Sequence, residues 1–305
     1  MNDIKMPESL ESAMHILGTT AVKFAQMTGG FSHLSWLVDC ADNRRVVVRQ
    51  GGSDATIEAA VLTLANEVVP TPRVIAAAND LTVLSFVEGQ TLEHVLRTCK
   101  TENLSKLANA LGEFVSRIGS VEFQRPGFFT TESLEVADAE PWSQRLTAFC
   151  TDQLASSDRF TAATTNAWIK LCEDSAELLK PVDHFRRLVH SDMNPKNIIV
   201  RHQDNEWHVA AFIDWEFAYS GCPFADVGNF CRFNHDYSKK FLEAFVSGFE
   251  NACPYLTKNW QRQARILDMF ALTALAAKPR GHAVGDMAET IIQNWAARGI
   301  PLLVS

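Results

Sequence analysis

The run Leu188-Val189-His190-Ser191-Asp192-Met193-Asn194-Pro195-Lys196-Asn197, answered by Phe212-Ile213-Asp214 after a short intervening stretch, constrains this chain more than any other feature. Ile198-Ile199-Val200-Arg201-His202 is rich in β-branched residues and reads as a strand, Gln203-Asp204-Asn205-Glu206 as a turn, and Trp207 to Ile213 as the returning strand. Folding that hairpin about its turn carries Asp214 back beside Asn197. One carboxylate and one side-chain carbonyl then share a site, a donor set that suits a hard cation such as Mg²⁺ in the company of nucleotide phosphates. Asp192, five residues before Asn197 on the loop entering the first strand, is placed to accept a proton from a hydroxyl. The spacing predicts a proton acceptor and a metal site together.

The pattern His-x-Asp-x-x-x-x-Asn, followed by Ile-Asp-Trp-Glu, resembles the aminoglycoside phosphotransferase and choline kinase family, whose fold is that of the protein kinases. The resemblance implies Asp192 as catalytic base, Asn197 and Asp214 as Mg²⁺ ligands, and His190 as a scaffold of the catalytic loop. Pro223-Phe224-Ala225-Asp226-Val227-Gly228 matches a family segment whose Asp braces that loop, so Asp226 is expected in structural support. Trp215 and Phe217 are expected as core or wall residues. Any one of these elements is common, and it is their order, with strands between them, that carries the reading.

Nearer the amino terminus, Val22 to Met27 reads as a strand, Thr28-Gly29-Gly30-Phe31-Ser32 as a turn, Leu34 to Cys40 as its return and Arg45 to Gln50 as a third strand. Gly29 and Gly30, with Ser32 in the same turn, allow backbone N–H groups to approach phosphates closely. Kinase folds pair a strand cation with a helix carboxylate so that the cation points at the phosphates, and on the resemblance Arg49 and Glu58 fill those places. The cation is Arg rather than the usual Lys, a planar fork in place of a point charge. Glu58 opens the helix expected over Ile57 to Val68, and Glu67 at its far end is the alternative partner. Arg73-Val74-Ile75 and Leu81 to Gly89 add two strands, about five in all. Within the latter, Ser85, Phe86 and Val87 resemble the kinase hinge, whose main chain bonds an adenine edge.

At 305 residues the chain is long for a single core, and apolar content of 47% with 21% charged residues marks an ordered globule. Leu104, Leu107, Ala108, Leu111, Val115 and Ile118 recur at helical spacing, and similar stripes run through 142–155, 160–180, 238–252, 258–277 and 285–298. The expectation is an α+β, bilobal, protein-kinase-like fold. A small antiparallel β-rich nucleotide-binding lobe would span 1–88, and a large, mainly helical catalytic and acceptor-binding lobe 89–305. Met269 to Ala277 is shorter than the roughly 18 to 20 residues of a membrane span, and Met1 to Lys5 carries no hydrophobic signal core, so neither membrane insertion nor secretion is expected. Seven cysteines, odd in number and without C-x-x-C spacing, read as reduced thiols of a cytoplasmic protein. A net charge of −8 disfavours nucleic acid as a partner.

Only eleven residues separate Asp214 from Asp226, too few for a protein-kinase activation segment, and Ser191 stands where protein kinases carry the Arg of His-Arg-Asp. The resemblance therefore implies a small-molecule kinase that uses ATP (or GTP) and Mg²⁺ to phosphorylate an acceptor hydroxyl. Its acceptor site is expected near Glu216 and among Asn234, His235 and Asp236. Glu216, with the acidic net charge, favours a cationic acceptor such as an aminoglycoside or amino alcohol. The alternatives are a kinase for a neutral sugar or macrolide, a catalytically silent nucleotide-binding protein, and a transferase that moves AMP. A role in antibiotic resistance and one in metabolism both stay open.

Overall fold

The structure, a computed structural model, describes residues 6–27, 34–52, 54–78, 80–99, 104–233 and 237–304. The chain divides into two compact units, each made of separate stretches of sequence. The first runs to Thr91 and adds Phe129–Glu135 and Lys196–Ala218. The second comprises Leu92–Phe128, Val136–Pro195 and the chain from Tyr219 onward.

The first unit is built on a five-stranded antiparallel sheet formed by β1 (Ala21–Gln26), β2 (Leu34–Cys40), β3 (Arg45–Gln50), β4 (Val74–Ala78) and β5 (Leu81–Ser85), in the order β1-β2-β3-β5-β4. Trp36, Val38 and Cys40 of β2 alternate inward, as do Val46 and Val48 of β3. Helix α1 (Glu8–Leu17) lays Leu10, Ala13 and Met14 against this set to close a core. The sequence reading made no assignment there, although Leu10, Ala13, Met14 and Leu17 follow the three- and four-residue spacing of a helix face. By the period of two in a strand, Arg49 belongs to the face opposite Val46 and Val48. Helix α2 (Ala55–Ala65) carries Glu58 and begins two residues earlier than expected. The Asp54 side chain caps it by accepting from the N–H groups of Thr56 and Ile57, at 2.9 and 3.3 Å.

The expected hairpin also belongs to this unit, as β9 (Ile198–Gln203) and β10 (Glu206–Phe212), joined by Asp204 and Asn205, both with positive φ. A two-residue β6 (Gln90–Thr91) extends it to three strands by pairing with β9.

In the second unit, β8 (Arg187–Val189), β11 (Tyr219–Gly221) and β7 (Gly127–Phe128) form a small sheet in the order β7-β11-β8. The rest is helical: α3 (Leu92–Thr98), α4 (Ser105–Ile118), α5 (Trp142–Leu154), α6 (Ala162–Ala176), α7 (Phe224–Phe230), α8 (Lys239–Ala252), α9 (Trp260–Ala276) and α10 (Ala283–Arg298). The expected helical stretch 160–180 gives α6 and a 3₁₀ turn over Glu177–Val182, where Pro181 cannot continue an α-helix. Helices α4 and α8 approach closely at two glycines. A β-carbon on Gly112 would stand 2.1 Å from the Phe245 carbonyl oxygen, and one on Gly248 would stand 2.0 Å from that of Asn109. Among the described residues no helix is long and apolar enough to cross a membrane.

Candidate functional site

Within the first unit the hairpin returns Asp214 to Asn197, as its turn requires. Phe212 stands opposite Ile198, and the Ile213 N–H donates to the Asn197 carbonyl at 2.9 Å. Asp214 then leaves the strand with φ of 68°, a left-handed backbone that a non-glycine residue adopts only when its surroundings hold it there. The Trp215 indole N–H donates to the Phe212 carbonyl at 3.1 Å, which buries that ring directly after the turn. Phe217 departs from the expected core or wall position: it is half-exposed, two residues past the buried Trp215.

Arg49 joins three parts of the first unit. Its Nη1 donates to Glu58 Oε1 at 2.6 Å and its Nη2 to Asp214 Oδ1 at 2.7 Å. Burial works against the guanidinium charge, but the two carboxylates outweigh it and hold the pKa above the ordinary Arg value. Both nitrogens of the fork are used, each on a different acid, in a fixed planar geometry that an ammonium does not supply. Of the two candidate helix partners, Glu58 makes this bond.

At the end of β5, the Ser85 N–H donates to the Arg73 carbonyl and the Arg73 N–H to Ser85 Oγ, both at 2.9 Å. The Phe86 N–H donates to the Arg45 carbonyl at 3.2 Å, and the Arg45 guanidinium lies over the Phe86 ring, 5.5 Å from its centroid. Among the described residues, the Val87 backbone N–H and C=O have no partner. Gly89 follows with φ of 153°, and a β-carbon there would fall 2.6 Å from the Val200 carbonyl oxygen.

His190, Asp192 and Asp226 belong to the second unit. Strand β8 delivers the loop that begins at His190, which is fully buried. Asp226, also fully buried on the short helix α7, accepts from the His190 N–H at 2.9 Å and from the Ser191 N–H at 2.8 Å, one bond to each carboxylate oxygen. Burial pushes its pKa up to about 6, although the two N–H bonds pull the other way. Ser191 has φ of 71°, so the backbone is held in a left-handed conformation at the residue before Asp192. The Asp192 N–H donates to His190 Nδ1 at 3.3 Å. The Asn194 side-chain amide reaches Asp192 Oδ1 at 3.0 Å and the Asp192 carbonyl at 3.1 Å.

Asn194 is a residue the sequence reading passed over, and the signal was present. An Asn two residues after an Asp on a tight loop readily bonds back to it. Gly29, Gly30 and Ser32 of the glycine turn lie outside the described residues, as do Asn234, His235 and Asp236 of the expected acceptor segment. Glu216 is partly buried in the first unit, two residues after Asp214.

The donor set of Asn197 and Asp214 is made of hard oxygens. Among the described residues there is no cluster of three or more His, Cys, Asp or Glu side chains of the kind that holds a metal by protein ligands alone. An amide oxygen and one carboxylate fit Mg²⁺, which keeps waters and takes further ligands from phosphates.

A sheet-rich amino-terminal part, a helical carboxy-terminal part and a loop–hairpin unit with these polar residues define a kinase-like phosphotransferase. The profile of the phosphotransferase enzyme family matches residues 23–263, and the chain belongs to that family, whose members phosphorylate hydroxyl groups of small molecules. Solved structures agree in fold. A thermostable mutant of aminoglycoside phosphotransferase APH(4)-Ia, in a ternary complex with ADP and hygromycin B, superimposes with a TM-score of 0.71 at 16% identity, covering 96% of this chain and 99% of that one. A putative fructosamine-3-kinase from Thermobifida fusca gives 0.69 at 15% identity, covering 95% and 99%. The macrolide 2'-phosphotransferase MphH from Brachybacterium faecium gives 0.63 at 13% identity, covering 96% and 98%. No curated protein matches the sequence.

Proposed function

We propose that this phosphotransferase is a Mg²⁺- and nucleotide-dependent kinase that moves the γ-phosphoryl group of ATP, or of GTP, to a hydroxyl of a small molecule. The observation that carries the reading is the Arg49 fork. A cation on strand β3, a carboxylate on α2 and a carboxylate 165 residues farther along the chain meet in one hydrogen-bonded set. These are the three groups a kinase uses to hold nucleotide phosphates and their metal.

In this proposal Asn197 and Asp214 hold Mg²⁺, which when bound neutralises phosphate charge. Arg49, aimed by Glu58, faces the phosphates, and the glycine turn with Gly29, Gly30 and Ser32 covers them. The adenine edge bonds the main chain at Ser85 to Val87, a reading supported by the N–H and C=O of Val87, which have no partner among the described residues. Asp192 takes the proton of the acceptor hydroxyl as its oxygen attacks. The Asn194 amide and the Asp226-braced backbone restrict the orientation of the Asp192 carboxylate, which lowers the cost of reaching the reactive geometry. His190 and Asp226 support the loop. Glu216 and Asp236 are proposed on the acceptor side, where Glu216 would favour an amine. The division into a nucleotide lobe over 1–88 and a catalytic lobe over 89–305 is part of the same proposal, as is a cytoplasmic setting.

Calorimetric titration of the purified chain with ATP, with and without Mg²⁺, tests the reading. Metal-dependent binding is expected in the wild type, with loss of at least about tenfold in affinity in Asp214→Ala. Equal binding by both proteins would remove Asp214 from the metal site. Transfer of AMP instead of phosphate would appear in the mass of the product.

A further inference from the structure

Six arginines lie over aromatic rings in the described residues: Arg45, Arg117, Arg145, Arg187, Arg232 and Arg265. Five of them also bond an acid or a carbonyl: Arg45 bonds Asp39, Arg117 pairs with Glu113, Arg187 with Glu122, Arg232 with Asp268, and Arg265 bonds the Cys231 carbonyl. Arg145 is the exception. Its guanidinium lies 5.4 Å from the centroid of Phe128 and 5.1 Å from that of Trp142, and no carboxylate or carbonyl among the described residues accepts from it. In a chain of net charge −8, a half-buried cation without an acidic partner calls for an explanation.

Its surroundings share the same deficit. Trp142 packs on Tyr219 with ring centroids 5.1 Å apart, and Phe128 packs on Tyr219 at 5.7 Å. Tyr219 and Trp142 are each 7% exposed, yet among the described residues neither the phenol O–H nor the indole N–H has a hydrogen-bond partner. Neither polar atom is among the fully buried unpartnered ones, so both reach solvent and are open to a ligand. Phe128, at 46% exposed, leaves a ring open beside them. The cluster therefore offers three donors and an apolar surface, with no carboxylate among the described residues paired to its cation. Tyr219 is paired in the sheet with Val189, the residue before His190, so the cluster is built on the strands that deliver the Asp192 loop.

We propose that Phe128, Trp142, Arg145 and Tyr219 form a recognition surface for the phosphoryl acceptor. It selects a molecule that presents an anionic oxygen group, such as a carboxylate, next to an apolar ring face. The ring lies on Phe128, and the anion accepts from Arg145 with Tyr219 and Trp142 in support, bonds that are strong because the cation is already stripped of part of its water. A polycationic acceptor meets a like charge there. An acceptor that carries both a carboxylate and an amine is compatible with this surface and with the amine preference proposed above. The inference rests on the kinase reading and adds the class of acceptor to it.

The test uses ring-bearing alcohols in matched sets, each as carboxylate, methyl ester and primary amine, assayed for phosphorylation and for binding followed by the NMR signal of the Trp142 indole N–H. The wild type is expected to turn over the carboxylate members with kcat/KM at least about tenfold above the esters. Arg145→Gln should raise KM for carboxylates about tenfold, with kcat within about twofold and the ester values unchanged. Phe128→Ala, at a half-exposed position, should weaken carboxylates and esters alike. Preference for the amines, or carboxylate affinity equal in the wild type and Arg145→Gln, overturns the proposal. A wild type that binds Mg–ATP but shows no carboxylate preference defeats this inference alone, whereas one that binds no nucleotide defeats the kinase reading.

Discussion

The Arg49 fork can be taken apart by a double-mutant cycle, and the exposures of its members set the scale. The Arg49 side chain is 11% exposed, Glu58 3% and Asp214 31%. Arg49→Ala leaves the Glu58 charge buried without its cation, a loss of about 3 to 5 kcal/mol in folding free energy. Asp214 is partly solvated, so its share of the coupling is nearer about 1 kcal/mol. Arg49→Lys keeps a charge but replaces two nitrogens in a fixed fork by one nitrogen with three rotating N–H donors, and should cost about 1 to 2 kcal/mol. The cycle Arg49→Ala with Glu58→Gln should therefore return a larger coupling than Arg49→Ala with Asp214→Asn. Urea unfolding of each single and double variant, without nucleotide or Mg²⁺, measures both couplings independently of any catalytic activity. A coupling to Glu58 below about 0.5 kcal/mol, or one smaller than that to Asp214, refutes the argument that burial sets the strength of this network.

Three further outcomes are expected. Asp192→Asn should lower kcat by about 10² to 10⁴ and leave Mg–ATP affinity within about threefold, so near-wild-type turnover in that variant excludes proton acceptance by Asp192. The Asp226 carboxyl rises in the fold from its ordinary 3.8 to about 6, so the stability it confers is full below pH 3.8 and lost as pH climbs through about 6, a change of about 3 kcal/mol. Asp226→Asn lacks that dependence, and unfolding curves of both proteins between pH 4 and pH 7 should show wild type losing ground to the variant by about that amount; parallel curves would mean that the carboxyl does not titrate in this range. Gly89→Ala drives a β-carbon into the Val200 carbonyl at a positive φ and should cost about 1 to 3 kcal/mol by thermal unfolding, while an unchanged Tm would show that this segment relaxes freely.

Much of the fold was legible because it is written in short-range pattern. The ends of β2 and β3 fall where alternation stops at turns, and the hairpin of β9 and β10 follows from one β-branched run, one polar turn and a second run. Helices α5, α8, α9 and α10 lie within about two residues of the apolar stripes that announced them. Apart from α1, whose apolar spacing was legible, the strands passed over are short and depend on partners. Strands β6, β7, β8 and β11 hold two or three residues each, too few to show a period, and exist because a neighbouring strand completes their hydrogen bonds. Asp226 is intermediate. Its place in the segment could be read, but its two N–H bonds depend on a loop 35 and 36 residues earlier.

The groups proposed to react could be named from the sequence alone. Asp192, Asn197 and Asp214 occur at spacings that a loop and a tight hairpin convert directly into position, with no long-range folding needed to relate Asn197 to Asp214. Only the tertiary structure decided how the groups are held and charged. The bond from Arg49 to Asp214 spans 165 residues, and burial, which no local pattern encodes, makes a fork of that ion set and raises the pKa of Asp226. The same holds for Arg145. In sequence it is one of many arginines, and only packing reveals that it rests on two rings with no acid paired to it among the described residues, because the set of neighbours belongs to the fold and to no segment of it.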